Sequence, residues 1–251
     1  MSKKLIVANW KMNLLREEAG RLTREIIKSL ETVKSDLEIV LAPPFVSLDL
    51  VGNLISGTNI ELGAQNVFWE KSGAFTGEIS TSMLEDLGCK WVVVGHSERR
   101  HILNEDDQMI SKKVEAVINS KMNCILCVGE TLEEREKGKT TKFVEGQLLS
   151  VLTELEIEDL SKLIVAYEPV WAIGTGENAT ANEVEYVHSF IRDILNGVFK
   201  NSDDIRIIYG GSVTAENLGD IMSAEFVDGS LIGGASLNSE SFLKLVKIAG
   251  D

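Results

Sequence analysis

Residues 163–176 of this chain read Leu-Ile-Val-Ala-Tyr-Glu-Pro-Val-Trp-Ala-Ile-Gly-Thr-Gly. The first five residues are apolar almost throughout, which is typical of a strand covered on both faces of a parallel sheet. Glu168 follows at the end of this strand, and Pro169 cannot continue the hydrogen-bonding ladder. The stretch therefore predicts a buried strand that ends in a carboxylate and leads into a short apolar flap. Such an arrangement suits proton abstraction away from water, because a flap dries the site that it covers.

Similar strands alternate with amphipathic stretches along the whole chain. The predicted strands cover residues 5–9, 38–42, 60–64, 91–95, 124–128, 163–167, 206–209 and 230–232. The predicted helices cover residues 17–34, 46–56, 80–87, 106–120, 142–155, 181–199, 215–222 and 239–249. Eight strand–helix units in 251 residues predict an α/β fold, a closed (β/α)8 barrel rather than an open doubly wound sheet. Without a linker or composition break, we expect one domain over residues 1–251.

The net charge of −14 limits the partners that this chain can have. Such a surface repels nucleic acids and anionic membranes, so we expect neither as a partner. The apolar runs are shorter than the ~18 residues of a membrane helix, and the first run is too short for a signal sequence. We therefore expect a cytoplasmic protein. A phosphorylated substrate would need a local anion site built from backbone N–H groups and a few cations.

Two of the three cysteines, Cys124 and Cys127, form a C-x-x-C motif inside a predicted strand. This motif can mark a redox pair or half of a metal site. Residues three apart on a strand face opposite sides, so these two thiols should be unable to meet. We therefore expect neither a disulfide nor a metal site here.

In a barrel of this type the active site lies where the strands end. Asn9 and Lys11 follow the first strand and share one side of the chain. A lysine at a barrel mouth is costly unless it meets an anion, although an exposed loop lysine is the alternative. His96 follows the fourth strand at the start of a predicted helical turn, which disfavours a cationic ring and favours a neutral hydrogen-bond donor. A structural histidine is the alternative there. We interpret His101 and His188 as surface or packing residues.

The remaining strand ends contribute a carboxylate and glycines. Glu168 beneath an apolar flap should be desolvated, which raises the basicity of a carboxylate; a surface glutamate is the alternative. Glycine pairs at 210–211 and 233–234 follow the last two strands. Glycines there let backbone N–H groups approach a phosphate closely. A single pair would indicate only a turn, but two pairs at successive strand ends predict a phosphate site.

The long connection at residues 63–78 carries Phe68, Trp69 and Phe75. This composition is apolar for a surface loop, and exposed apolar patches usually mark an interface.

Five segments together resemble the triosephosphate isomerase family, whose fold is the TIM barrel. They are residues 9–13, 95–100, 167–176, 209–212 and 233–237, in the family's order along essentially the whole chain. The resemblance implies interconversion of dihydroxyacetone phosphate and D-glyceraldehyde 3-phosphate through an enediolate. It also implies that Glu168 is the base that moves a proton between C1 and C2. Neutral His96 would polarise the carbonyl, and Lys11 would offset negative charge while Asn9 places the oxygens.

The resemblance implies further roles around this centre. Backbone N–H groups would hold the phosphate at Gly174, Ser212, Gly233 and Gly234. Ile173 and Leu231 would keep the glutamate dry, and Glu98 and Cys127 would have supporting roles. No cofactor or metal is implied, since no cluster of His, Asp and Cys has ligand spacing.

The connection at residues 63–78 also resembles the family's interface loop. Gln65, Phe75 and Thr76 would enter a neighbouring subunit, with Thr76 near the neighbour's Lys11, so we expect a homodimer. Ser230 departs from the family, which usually has an apolar residue there, and its hydroxyl would need a partner.

Two alternatives remain open. Another phosphosugar barrel enzyme would share the phosphate site but would lack the set of Asn9, Lys11, His96 and Glu168. A catalytically silent scaffold would show damage at these positions, and the sequence shows none.

Overall fold

The computed structural model describes residues 3–31, 33, 36–173 and 177–250. Within these residues, eight parallel strands close into a barrel in sequence order, with β8 hydrogen-bonded to β1. The strands are β1 (Lys4–Asn9), β2 (Leu37–Ala42), β3 (Ile60–Ala64), β4 (Trp91–Val94), β5 (Asn123–Val128), β6 (Leu163–Tyr167), β7 (Arg206–Tyr209) and β8 (Gly229–Ile232). The predicted (β/α)8 barrel is confirmed, and each strand boundary lies within one residue of its prediction.

The helices surround this barrel. They are α1 (Arg16–Leu30), α2 (Leu48–Ile55), α3 (Thr81–Asp86), α4 (Ser97–His101), α5 (Asp107–Ile118), α6 (Leu132–Glu136), α7 (Thr140–Leu152), α8 (Ala181–Val198), α9 (Leu218–Ser223) and α10 (Ser239–Gly250). The predicted end of the first helix, residue 34, lies outside the described residues. None of the helices in the described part of the chain is long and apolar enough to cross a bilayer.

Alternation along each strand divides the core into two clusters. Leu5 and Val7 of β1 point into the barrel, where they join the inner cluster, whereas Ile6 and Ala8 pack outward against the helices. Since side chains alternate along a strand, Asn9 at the end of β1 continues the inward series. The same rule places Glu168 inward, because Ile164 and Ala166 belong to the inner cluster.

The C-x-x-C motif follows this alternation as predicted. Cys124 packs in the outer cluster and Cys127 in the inner one, and both thiols are free and buried. The strand therefore keeps the two sulfur atoms on opposite faces.

Candidate active site

The carboxyl ends of the strands surround a cavity of about 450 Å³. Its lining brings together residues predicted from five different strand ends: Asn9, Lys11, His96, Glu168, Ser212, Leu231, Gly233 and Gly234. Ile173, after the sixth strand, also lines it, with Asn13, Gly210, Gly211, Val213, Ala235 and Leu237. A groove of about 620 Å³, lined by residues of α4, α5 and α7, is larger, but its lining includes none of the predicted site residues. Gly174, predicted at the phosphate, lies outside the described residues.

Glu168 occupies the floor of the cavity and is 1% exposed. Its Oε2 accepts a hydrogen bond from the backbone N–H of Ser97 at 2.8 Å, and its Oε1 lies 3.0 Å from Nε2 of His96. Burial raises the pKa of Glu168, but His96, the Ser97 N–H and Lys11 together outweigh burial and lower it. The predicted rise in basicity is therefore absent in this arrangement, because donors facing the carboxylate replace the lost water.

His96 is the N-cap residue of α4, immediately after β4. Gly95 before it has φ +69°, in the left-handed region that favours glycine, and this turn interrupts the alternation of the strand. The Nδ1 atom of His96 accepts the backbone N–H of Glu98 at 3.2 Å, so Nδ1 carries no proton. Burial lowers the pKa of His96, while the charge and hydrogen bond of Glu168 raise it and determine the net direction. Because Nδ1 is an acceptor, the neutral form of the ring carries its proton on Nε2, which faces Glu168.

Lys11 approaches the cavity from the turn after β1. Its backbone has φ +51°, and its N–H donates to Oδ1 of Asn9 at 3.0 Å. Its Nζ lies 2.7 Å from Oε1 of Glu98. Its side chain also lies along Gly233, where a Cβ would come within 3.2 Å of Cε. The side chain of Lys11 therefore lies between the carboxylate of Glu98 and the backbone of Gly233.

Gln65 supports this turn from β3. Its Nε2 donates to the carbonyls of Lys11 at 2.9 Å and Ala42 at 2.8 Å. Gln65 is predicted at an interface, and in the structure its amide also fixes the carbonyl of Lys11.

Two groups near Glu168, the Ser97 N–H and Gly129, are not among the predicted site groups. Besides the Ser97 N–H, Gly129 lies so close that a Cβ there would be 1.7 Å from the carbonyl oxygen of Glu168. A Cβ on Gly210 would be 2.8 Å from Cγ of Glu168. The position of Gly129, directly after β5, was the available signal, because a glycine at a barrel strand end can mark a close backbone approach.

Cys127 and Ser230 are buried nearby. Burial raises the pKa of the Cys127 thiol well above its usual value, so the thiol stays protonated. The Ser230 hydroxyl donates to the carbonyl of Tyr209 at 3.0 Å, which gives it the partner that the sequence analysis required.

Of the other histidines, His101 is exposed and His188 is fully buried. Within the described residues, no group of three or more His, Cys, Asp and Glu side chains is arranged to hold a metal ion.

The residues predicted at an interface lie as follows. Phe75 is 42% exposed, Thr76 is exposed, and the ring of Phe75 packs against Phe68 at 4.7 Å between centroids. Further large apolar side chains are exposed in the segments after β1 to β4, which the sequence analysis did not single out: Met12, Leu15, Phe45, Val46, Met83, Ile102 and Leu103.

Comparison with known proteins identifies the same family that the five segments resemble. The family model "Triosephosphate isomerase" matches residues 4–249. A protein named triosephosphate isomerase from Aquifex aeolicus (strain VF5) is 49% identical over 245 residues, which covers 97% of this chain and 98% of the relative.

Two further relatives carry the same name. The protein from Endomicrobium trichonymphae is 48% identical over 248 residues, covering 98% of this chain and 99% of its own. The protein from Carboxydothermus hydrogenoformans is 47% identical over 249 residues, with 98% and 99% coverage. The chain folds as a barrel, its cavity is lined by the predicted residues, and the similarity to these relatives extends along its length. The chain therefore belongs to the triosephosphate isomerase family.

Proposed function

We propose that Glu168, His96, Lys11 and Asn9 carry out the reaction of this isomerase, the interconversion of dihydroxyacetone phosphate and D-glyceraldehyde 3-phosphate. The observation that carries the proposal is one cavity in which a buried carboxylate, a neutral imidazole, a lysine and two glycine-rich strand ends meet. This set supplies a base, a proton donor and an anion site, which are the parts that aldose–ketose isomerisation needs.

The proton transfers balance without a further reactant. The Glu168 carboxylate removes a proton from C1 of dihydroxyacetone phosphate, and the electron pair of the C–H bond moves toward the C2 carbonyl, forming an enediolate. The Nε2–H of His96 stabilises the developing negative charge and moves protons between the two oxygens. Glu168 then returns its proton to C2, which yields the aldehyde. Side chains supply every step, so the mechanism requires no metal or cofactor.

Charge stabilisation in this proposal comes from the rim of the cavity. Lys11 faces the enediolate and the phosphate, and Asn9 orients the substrate oxygens. Backbone N–H groups of Ser212, Gly233 and Gly234, together with Gly174, bind the phosphate. Ile173 and Leu231 exclude water, and Glu98 and Cys127 support the site; Glu98 does so through its ion pair with Lys11. The net charge of −14 makes such a local anion site necessary.

The proposed assembly is a homodimer of a cytoplasmic, single-domain enzyme of glycolysis and gluconeogenesis. Exposed apolar side chains follow four consecutive strands, β1 to β4, which adjoin one another around the barrel. Apolar patches of this kind usually mark protein–protein contacts. The turn that carries Lys11 also carries Met12, which is 96% exposed. A second copy of the chain would bury this patch and brace the turn.

The experiment is an isomerase assay with glyceraldehyde 3-phosphate, coupled to a downstream dehydrogenase, with EDTA present. Wild type should turn over rapidly, and Glu168→Gln should lose kcat by roughly 10²–10⁴-fold, the usual contribution of a general base. Circular dichroism and sedimentation establish that both proteins are folded. Negligible wild-type turnover in a folded protein would refute the proposal, and an active Glu168→Gln would refute the assignment of the base.

A further inference from the structure

Arg135, on α6, contacts two elements that flank the site without lining the cavity. Its guanidinium carbon lies 3.7 Å from the centroid of the Trp171 ring. Its Nη2 also forms an ion pair with Oε1 of Glu183, in the first turn of α8. One guanidinium group therefore bridges the segment after β6 and the start of α8.

Trp171 belongs to the segment that follows the base. The N–H of Glu168 donates to the carbonyl of Val128 at 2.8 Å, and the N–H of Val170 donates to the carbonyl of Glu130 at 3.0 Å. The indole N–H of Trp171 donates to Oε1 of Glu130 at 2.9 Å. These bonds fix the backbone and the edge of the indole, and Arg135 covers its face.

The other end of the bridge is equally defined. The Glu183 carboxylate accepts the backbone N–H of Thr180 at 2.8 Å, and the backbone N–H of Glu183 donates to the Thr180 hydroxyl oxygen at 3.3 Å, so the two residues form a capping box. Glu183 is thus held by α8 itself and presents its other oxygen to Arg135. A planar guanidinium can stack on a ring and donate to a carboxylate at once, whereas a lysine ammonium cannot stack in this way.

We propose that Arg135 is a positioning residue for Glu168, acting by holding Trp171 against the first turn of α8. The proposal rests on the proposed function, in which Glu168 is the base. Arg135 does not line the cavity, so its effect must pass through the chain between Trp171 and Glu168, three residues apart. Small displacements of a reacting group are costly, because proton transfer demands close alignment.

Arg135→Ala should lower kcat by roughly tenfold, while KM stays within about twofold, since the lost contact matters for the transition state and not for substrate binding. The thermal midpoint should change little, because the side chains of Arg135 and Glu183 are 34% and 39% exposed and such ion pairs contribute little to stability.

Chemical rescue by guanidinium distinguishes a positioning role of Arg135 from a loss of protein stability in the variant. Guanidinium chloride at low millimolar concentration should restore part of the kcat of Arg135→Ala by occupying the space above Trp171, whereas equal sodium chloride should not. A loss of kcat caused only by instability would not be relieved by guanidinium at this concentration, which is too low to change stability measurably. The matched control is Lys137→Ala at the C-terminal cap of the same helix, where the Lys137–Glu133 ion pair is exposed. It should keep wild-type kcat with or without guanidinium.

Glu183→Gln tests the other half of the bridge. Glutamine preserves the capping box but removes the charge facing Arg135, so kcat should fall less than in Arg135→Ala, again at constant KM. Wild-type kcat in Arg135→Ala, or a loss that guanidinium fails to relieve, would overturn the proposal while leaving Glu168 as the base. An inactive wild type would instead refute the proposed function.

Discussion

Glu168 and His188 are both buried ionisable residues, and the fold treats them in opposite ways. Donors face the Glu168 carboxylate, so its pKa is lowered despite burial. Among the described residues, the hydrogen-bond partner of His188 is the carbonyl of Phe226, 2.9 Å from Nδ1, which requires the proton on Nδ1 of a neutral ring. Burial lowers the pKa of His188 to about 4. Glu168 therefore remains charged in the site, whereas His188 is a neutral side chain packed in the core.

His188 should make stability depend on pH. Its folded-state pKa of about 4 lies below the ordinary 6.5, so the unfolded chain binds a proton more readily between these values. Its neutral form should contribute about 3 kcal/mol above pH 6.5, and this contribution should be lost progressively toward about pH 4. Urea unfolding at several pH values, at one protein concentration, measures it.

The control for this prediction is His188→Gln, which cannot titrate. The difference in unfolding free energy between wild type and this variant should shrink on acidification over that range, and other titrating groups cancel in the difference. A difference that stays constant with pH would contradict the prediction.

Ser230 should contribute to stability without affecting turnover. Ser230→Ala removes the donor to the buried carbonyl of Tyr209, and we expect a loss of about 1 kcal/mol in unfolding free energy with kcat unchanged. Ser223→Ala is the control, because the hydroxyl of Ser223 makes an equivalent bond to Asp220 at an exposed site, where water can replace it. Equal effects of the two substitutions in urea unfolding would argue against a special role of the buried hydroxyl.

Among the elements, the strands and eight of the helices could be predicted from the sequence, but the two five-residue helices could not. Apolar runs bounded by polar residues define a strand to within one residue, as at β6, where the prediction and the structure coincide. The five-residue helices α4 and α6 are too short to show a helical period, so the sequence indicated only a turn after His96 and nothing at α6.

The site could be predicted where a side chain carries the chemistry, or where glycines follow a strand, as at Gly233 and Gly234, which line the cavity. His96 and Glu168 stand out by residue type at strand ends, and the barrel then brings them to within 3.0 Å. The Ser97 N–H that binds Glu168 is a backbone group, which every residue except proline has, so the sequence holds no specific signal for it. Arg135 was missed for a different reason: its two partners lie 36 and 48 positions further along the chain.

Substitution by alanine should have opposite effects at two glycines: it should stabilise the protein at Gly146, inside α7, and disturb the site at Gly129, after β5. Gly146 lies inside α7, where an added Cβ would meet nothing within 4 Å, so Gly146→Ala should raise the unfolding free energy by about 0.5–1 kcal/mol. Gly129→Ala would place Cβ 1.7 Å from the Glu168 carbonyl oxygen, so the backbone of the base must move. Its kcat should fall sharply, as the coupled assay would show, and wild-type kcat in Gly129→Ala would contradict the predicted close contact.

For the molecule as a whole, the proposed dimer predicts a specific response to charge on its apolar patch. Val46 is 82% exposed beside β2, and Val46→Asp should increase the fraction of monomer, because the interface would have to desolvate a carboxylate. Tyr186→Asp is the control, since Tyr186 is 65% exposed on α8, outside the patch. Analytical ultracentrifugation at micromolar concentration measures both, and a wild type that sediments as a single species at monomer mass would refute the dimer.

The turn that carries Lys11 has a consequence for how this enzyme should be assayed. Lys11 has φ +51°, and Met12 beside it is almost wholly exposed, so a second subunit that covers Met12 would restrain this turn beyond its bonds within the chain. If a second subunit does so, dilution below the dissociation constant removes that cover, and turnover per polypeptide should fall as the enzyme is diluted. A specific activity for this protein would then be meaningful only together with the subunit concentration at which it was recorded, and progress curves started from a concentrated stock should slow as the subunits separate.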